Sequence, residues 1–294
     1  MSEASVESSP PVAPGTPPKW ARSPWVRVPI LLGILLAIDG VCQAINGVAD
    51  VNPVTGLLVG VALGVAGVFA YALLVRWLEA RRWPAELALR AAAPGLAWGV
   101  LLGLALFSAV IAVIALAGGY RVLGIGSIPG AVAYFGAMWT IGVSEEVIFR
   151  GALFRLVEEG AGTWVALAAS ALVFGGAHLL NAHATVWGAL AIAIEAGVLF
   201  GAVYAATRTL WLVIGLHFAW NFAEGGIYGA IVSGNDQGTT SILRAGFSGP
   251  TLLTGGDFGP EASLVSIIVC LIPAVIFLVL AHRRGRIRPL RRRR

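Results

Sequence analysis

The chain has 294 residues, 58 % hydrophobic and 12 % charged, with a mean hydropathy of +0.85 and a formal net charge of +5. A soluble domain carries about 25 % charged residues, so this composition excludes a soluble enzyme or binding module and indicates a polytopic membrane protein with no length left for a large soluble domain. The two cysteines, Cys42 and Cys270, both sit in apolar runs, which excludes a disulfide framework and reads as small packing residues.

In chain order, residues 1–24 are rich in Ser and Pro and are expected to be disordered. The apolar run that follows has no clear small-x-small cleavage site before the next span, so it reads as a retained helix. Eight spans are predicted, at 26–46, 54–77, 94–117, 129–155, 163–181, 185–206, 209–225 and 262–282, each near the ~20 residues that cross a bilayer. The expected fold class is an all-α integral membrane bundle over 25–282, with a polar cavity inside it. Glycines recur at i, i+4, i+8 in two rows, Gly56/Gly60/Gly64 and Gly95/Gly99/Gly103, spacing that lets helix backbones approach closely. Residues 76–93 are expected to form an amphipathic surface helix. The Gly-rich 233–261 connection reads as a slack loop rather than a lid. Residues 283–294 hold eight arginines, Arg283, Arg284, Arg286, Arg288 and Arg291 to Arg294, and read as a topology anchor beside anionic lipid. No aromatic residue or folded module accompanies that run, so nucleic acid is not an expected partner. Basic residues flank the N-terminus and alternate connections, through Lys19, Arg22, Arg27, Arg76, Arg81, Arg82, Arg90, Arg150, Arg155 and Arg208. By the positive-inside rule both termini are expected to be cytoplasmic, in a bacterial-type inner or plasma membrane.

Three of the apolar spans carry polar residues that a membrane interior makes costly. Glu145 and Glu146 are adjacent in the fourth, and a carboxylate at the bilayer centre costs roughly 2.5–3.5 kcal/mol. Glu146 and Arg150 are four apart and share a helix face, so each neutralises the other. Glu145 is rotated by about 100° from Glu146 and is the carboxylate left for chemistry, able to take a proton from water. His217 and Asn221 share a face and offer two N–H donors, as a developing oxyanion requires. His178 stands alone on its helix, suited either to holding the attacking water with Glu145 or to ligating zinc. Taken singly, each residue reads equally well as interhelical glue; the set on three helices points to a hydrolytic site. The H-E-x-x-H zinc-protease pattern is absent. Glu195 and Asp39 are further intramembrane acids, Glu195 a candidate for function, for an arginine pair or for snorkelling, and His183 is expected at the interface.

The segments Glu145-Glu146-Val147-Ile148-Phe149-Arg150, Phe174-Gly175-Gly176-Ala177-His178 and His217-Phe218-Ala219-Trp220-Asn221 resemble, in this order, the E-E-x-x-x-R, F-x-x-x-H and H-x-x-x-N motifs of the CAAX prenyl protease type II (ABI, or CPBP) intramembrane proteases. Gly197, Phe200, Gly201, Tyr204 and Thr207 add to the likeness, which covers roughly 129–225. The resemblance implies eight helices around a cavity open to lipid, and a protein or peptide substrate that is prenylated in some relatives. It implies that Glu145 and His178 activate water, that His217 and Asn221 stabilise the oxyanion, and that Glu146 and Arg150 hold the frame. A metal-free glutamate mechanism without cofactor is the expected one. Zinc held by His178, His217 and Glu145 is its alternative. A non-catalytic scaffold or bacteriocin-immunity protein would keep the same residues for folding. A transporter would show matched halves with broken helices, and no such repeat is seen.

Overall fold

Proline and glycine punctuate the helices where the backbone must change course. In the computed structural model, which describes residues 19–49, 52–235 and 240–290, α1 (Pro24–Ala49) is followed by α2 (Pro53–Glu79), whose Asn52 side chain accepts from the Val54 and Thr55 amides. Such a cap satisfies amides that no helix turn can reach. Then come α3 (Ala92–Leu116), strand β1 (Tyr120–Ile125) and α4 (Ile128–Glu146). Helix α4 runs on without a break through a π-helical stretch, Val147–Phe154, into α5 (Arg155–Ala161). Gly162, with φ 85°, turns the chain into α6 (Thr163–Ala177). Next are α7 (Val186–Ile192), a π-helical Ala193–Gly197 and α8 (Val198–Thr207), then α9 (Leu210–Asn221) with a π-helical Phe222–Ile227. Strand β2 (Leu243–Phe247), the short α10 (Thr251–Thr254) and α11 (Leu264–Arg283) complete the described chain.

The protein is an all-α membrane protein, and among the described residues six helical runs are long and apolar enough to cross a bilayer. The two other long runs, residues 128–161 and 210–227, are those that carry Glu145, Glu146 and Arg150, and His217 and Asn221. The eight-span expectation counts both; by length and apolarity, six of the eight qualify as spans among the described residues.

The glycine rows set the packing. A side chain at Gly60 would fall on the backbone of Gly136, so α2 lies directly against α4, and Thr140 Oγ1 donates to the Gly60 carbonyl at 2.8 Å. A side chain at Gly99 would fall on the Leu212 carbonyl, so α3 lies directly against α9. With apolar lipid outside and apolar side chains inside, close backbone approach and van der Waals contact replace the hydrophobic effect as the packing force. Of the helices held this way, α4 and α9 carry two of the three polar motif segments.

Three expectations are corrected. Residues 76–93 do not form one surface helix: α2 ends at Glu79, Ala80 is left-handed (φ 55°), and short 3-10 turns at Ala85–Leu87 and Leu89–Ala91 follow. Pro84 breaks the periodicity, and Glu86 is drawn inward by Arg81 and by Tyr71, whose hydroxyl donates at 2.6 Å. The 233–261 connection is not slack over its described residues. β2 pairs antiparallel with β1, a small exception to the all-α fold, and Glu261 accepts from Trp220 Nε1 and Ser233 Oγ. The tails also change. Lys19–Arg22 form a 3-10 turn, so order begins before residue 24, and residues 1–18 lie outside the described residues. Of the arginine tail, residues 284–290 are pinned to the bundle: the Arg288 amide donates to Thr163 Oγ1 at 2.8 Å, and Arg208 donates to the Arg286 carbonyl. Residues 291–294 lie outside the described residues.

Candidate active site

Glu146 and Arg150, one turn apart, are both fully buried, with Arg150 NH1 donating to Glu146 Oε1 at 2.7 Å. The guanidinium lies between the rings of Phe174 and Phe200, 4.7 and 5.0 Å from their centroids. Its other nitrogen faces the Ala196 and Gly197 carbonyls at 3.4 Å. Those carbonyls belong to a π-helical turn, whose extra residue loosens the regular i→i−4 ladder and leaves acceptors for a foreign donor. Two further π-helical stretches touch motif segments, Val147–Phe154, which carries Arg150, and Phe222–Ile227, directly after Asn221.

His217 is clamped between Phe174 and Phe200, and its Nδ1 donates to Glu146 Oε1 at 2.9 Å. Its Nε2 stands 3.7 Å from Glu145 Oε2. Glu146 therefore holds both the arginine and the histidine, and Glu145 is left facing the interior space, as the helical rotation predicted. Glu145 is 25 % exposed at its side chain, against none for Glu146. His178 closes α6. Its Nδ1 donates to the Phe174 carbonyl at 2.8 Å, so in the neutral ring Nε2 is the lone-pair nitrogen.

Glu145, His178 and Asn221 line one cavity of about 150 Å³, walled by Met138, Ile141 and Phe149 and roofed by Asn181, Ser233 and Asn235. This volume holds several waters. His217 sits beside the cavity, its ring joined to both glutamates. All six predicted residues thus meet. The roof was missed by sequence reading. Ser233 is left-handed (φ 52°), and Asn181 Nδ2 donates to its carbonyl at 2.6 Å. Asn181 lies just past His178 and could have been suspected from that spacing; Ser233 and Asn235 are distant in sequence from every motif.

Of the other intramembrane acids, Asp39 of α1 accepts from Ser144 Oγ at 2.7 Å, directly before Glu145. Glu195 neither snorkels nor meets an arginine; it is fully buried, with the Cys270 thiol beside its carboxylate. Glu224, not singled out from sequence, is buried near it and beside Glu261. His183 is exposed in the 181–185 loop, in keeping with an interfacial position. Among the described residues no group of three or more His, Cys, Asp or Glu side chains is placed to hold a metal ion.

Residues 127–223 match the family described as Type II CAAX prenyl endopeptidase Rce1-like. The match is to this segment, about a third of the chain. It spans the three motif segments, from the start of α4 to just past Asn221, and leaves α1 to α3, the roof residues Ser233 and Asn235, β2 and α11 outside. No curated protein and no solved structure matches the chain.

Proposed function

We propose that the chain is an intramembrane endopeptidase that hydrolyses a peptide bond of a membrane-associated or lipidated protein or peptide by glutamate-activated water. The single observation that carries this reading is the convergence of Glu145, His178 and Asn221, from three separate helices, on one cavity large enough for water. In the reaction, Glu145 takes a proton from water held against His178 Nε2, and the water oxygen attacks the scissile carbonyl carbon. The resulting oxyanion accepts from Asn221 Nδ2 and from His217 Nε2. Because His217 Nδ1 already donates to Glu146, Nε2 donates only when the ring carries both protons, and both nitrogens then face carboxylates. Collapse of the oxyanion breaks the C–N bond, and the proton held by Glu145 passes to the leaving amine. Arg150 fixes Glu146, and Glu146 fixes the ring. The membrane setting is the bilayer crossed eight times, in a bacterial-type inner or plasma membrane with both termini cytoplasmic. Neither cofactor nor metal takes a step in this scheme.

The test is a comparison of the N-termini of membrane proteins from cells carrying wild type or Glu145→Gln. The expected outcome is a defined set of new N-termini that vanishes in the variant while the variant remains inserted and folded. Unchanged cleavage would remove Glu145 from the reaction. No cleavage by wild type, with a phenotype that Glu145→Gln preserves, would favour a scaffold or immunity protein.

A further inference from the structure

The ends of several helices meet far from the candidate active site, where Arg27 of α1, Glu79 of α2, Arg155 and Glu158 of α5 and the 284–290 segment come together around a cavity of about 720 Å³. That volume is within the ~300–1,000 Å³ of ligand pockets, which are ordinarily apolar; this one is walled by charge. Its arginines are Arg27, Arg81, Arg155, Arg208, Arg286 and Arg288. Its carboxylates are Glu79, Glu86, Glu158 and Glu159. Six guanidiniums face four carboxylates, an excess of two positive charges.

The carboxylates are already engaged. Glu79 takes Arg27 at 3.3 Å and two nitrogens of Arg155 at 2.9 and 2.7 Å. Glu86 takes both terminal nitrogens of Arg81, at 3.1 and 2.6 Å, and the Tyr71 hydroxyl. Glu158 takes Arg208 and Thr163, with Arg288 at 3.7 Å, and Glu159 takes a second nitrogen of Arg27 at 2.5 Å. The guanidiniums are not used up. Arg27 Nε is buried without a partner, on a residue only 6 % exposed. Arg286 is spent on a neutral group, the Ala206 carbonyl, which Arg284 also reaches. A low-dielectric wall with unspent guanidinium donors favours an oxyanion that accepts several N–H groups in a plane, the geometry of a phosphate. The cavity lies at the ends of helices long and apolar enough to cross a membrane, beside the basic tail, where an anionic headgroup would find a basic neighbour.

We propose that this cavity binds a phosphate group, supplied by the headgroup of an anionic lipid. The bound phosphate bridges the helix ends to the 284–290 segment. That segment is already held by its backbone: the Thr163 amide donates to the Arg288 carbonyl at 3.1 Å, and Arg208 to the Arg286 carbonyl. The side chains of Arg286 and Arg288 can therefore be changed without breaking those anchors.

The experiment uses the full chain purified in non-ionic detergent. Its thermal unfolding is followed while short-chain phosphatidylglycerol, phosphatidylcholine of equal chain length, or inorganic phosphate is titrated in. A saturable rise with phosphatidylglycerol and none with phosphatidylcholine is expected. In Arg286→Gln/Arg288→Gln the midpoint of that rise should move at least about tenfold, as the loss of charge-assisted donors implies. Should the double variant not fold, Arg288→Gln alone serves, since that side chain is 58 % exposed, and a several-fold shift is then expected. Equal responses to the two lipids, or an unmoved midpoint in the variants, overturns the proposal. The same saturable rise with inorganic phosphate, lost in the variants, supports the phosphate site and overturns the lipid as its source.

Discussion

Replacing Arg150 with alanine strands Glu146. The carboxylate has no exposure, its Oε2 has no partner, and its Oε1 would keep only His217. Breaking one side of a buried ion pair costs roughly 3–5 kcal/mol. The two aromatic faces that cover the guanidinium add about 0.5–2 kcal/mol each. The expected loss is thus on the order of 5 kcal/mol, a fall of about 10 °C or more in apparent melting temperature for a chain of this size. The assay is thermal unfolding in detergent of wild type, Arg150→Ala, Glu146→Gln and the Arg150→Met/Glu146→Gln pair. Removing both charges leaves no ion stranded, so the double variant should recover most of the loss, while activity stays low because the His217 ring loses its charged acceptor. Arg150→Ala melting with wild type, or a double variant whose loss equals the sum of the two single ones, would refute the argument that a desolvated pair holds this frame.

The other predictions address chemistry and the opposite end of the bundle. Asn221→Ala should lower kcat by about 10²–10³ with little change in KM, the loss typical of one oxyanion donor; steady-state kinetics that place the whole loss in KM would move Asn221 to substrate binding. Prolonged chelation should leave activity intact and elemental analysis should find substoichiometric zinc, whereas stoichiometric zinc with activity lost on chelation and restored by zinc would put His178, His217 and Glu145 into a ligand role. Burial works against the Glu86 carboxylate, but the hydrogen bond and charge of Arg81, with the charge of Arg155, outweigh it and hold its pKa below the ordinary carboxylate value. The stability it contributes is therefore present above that ordinary value, about 4.3, and is lost as pH falls through the lowered folded value. Melting temperatures measured across that window should fall in wild type and change less in Glu86→Gln; parallel profiles would refute the linkage.

The linear sequence determined the features that depend on local spacing and on the cost of burial. Apolar runs of bilayer length place the helices. Glu146 and Arg150 one turn apart name the buried pair, and by rotation they leave Glu145 for the cavity. The glycine rows announce two close helix contacts because a missing Cβ is visible in one dimension. What those rows pack against is not visible: that Gly60 meets Gly136 and Gly99 meets Leu212 is decided only when the helices assemble, and this assembly brings α4 and α9 together. His217 reads from its spacing to Asn221 as a donor, yet its Nδ1 is committed to Glu146, a partner on another helix. The roof of the cavity and the order of the 233–261 segment come from contacts remote in sequence, Glu261 with Trp220 and Ser233, and β2 with β1. The surface helix expected at 76–93 fails for the same reason: local periodicity favours a helix, while Arg81, Arg155 and Tyr71 converge on Glu86 and draw the chain inward. Periodicity records which face of an element is apolar, but a buried polar group is satisfied by whichever partner folding brings within hydrogen-bond reach, and that partner lies beyond any local pattern.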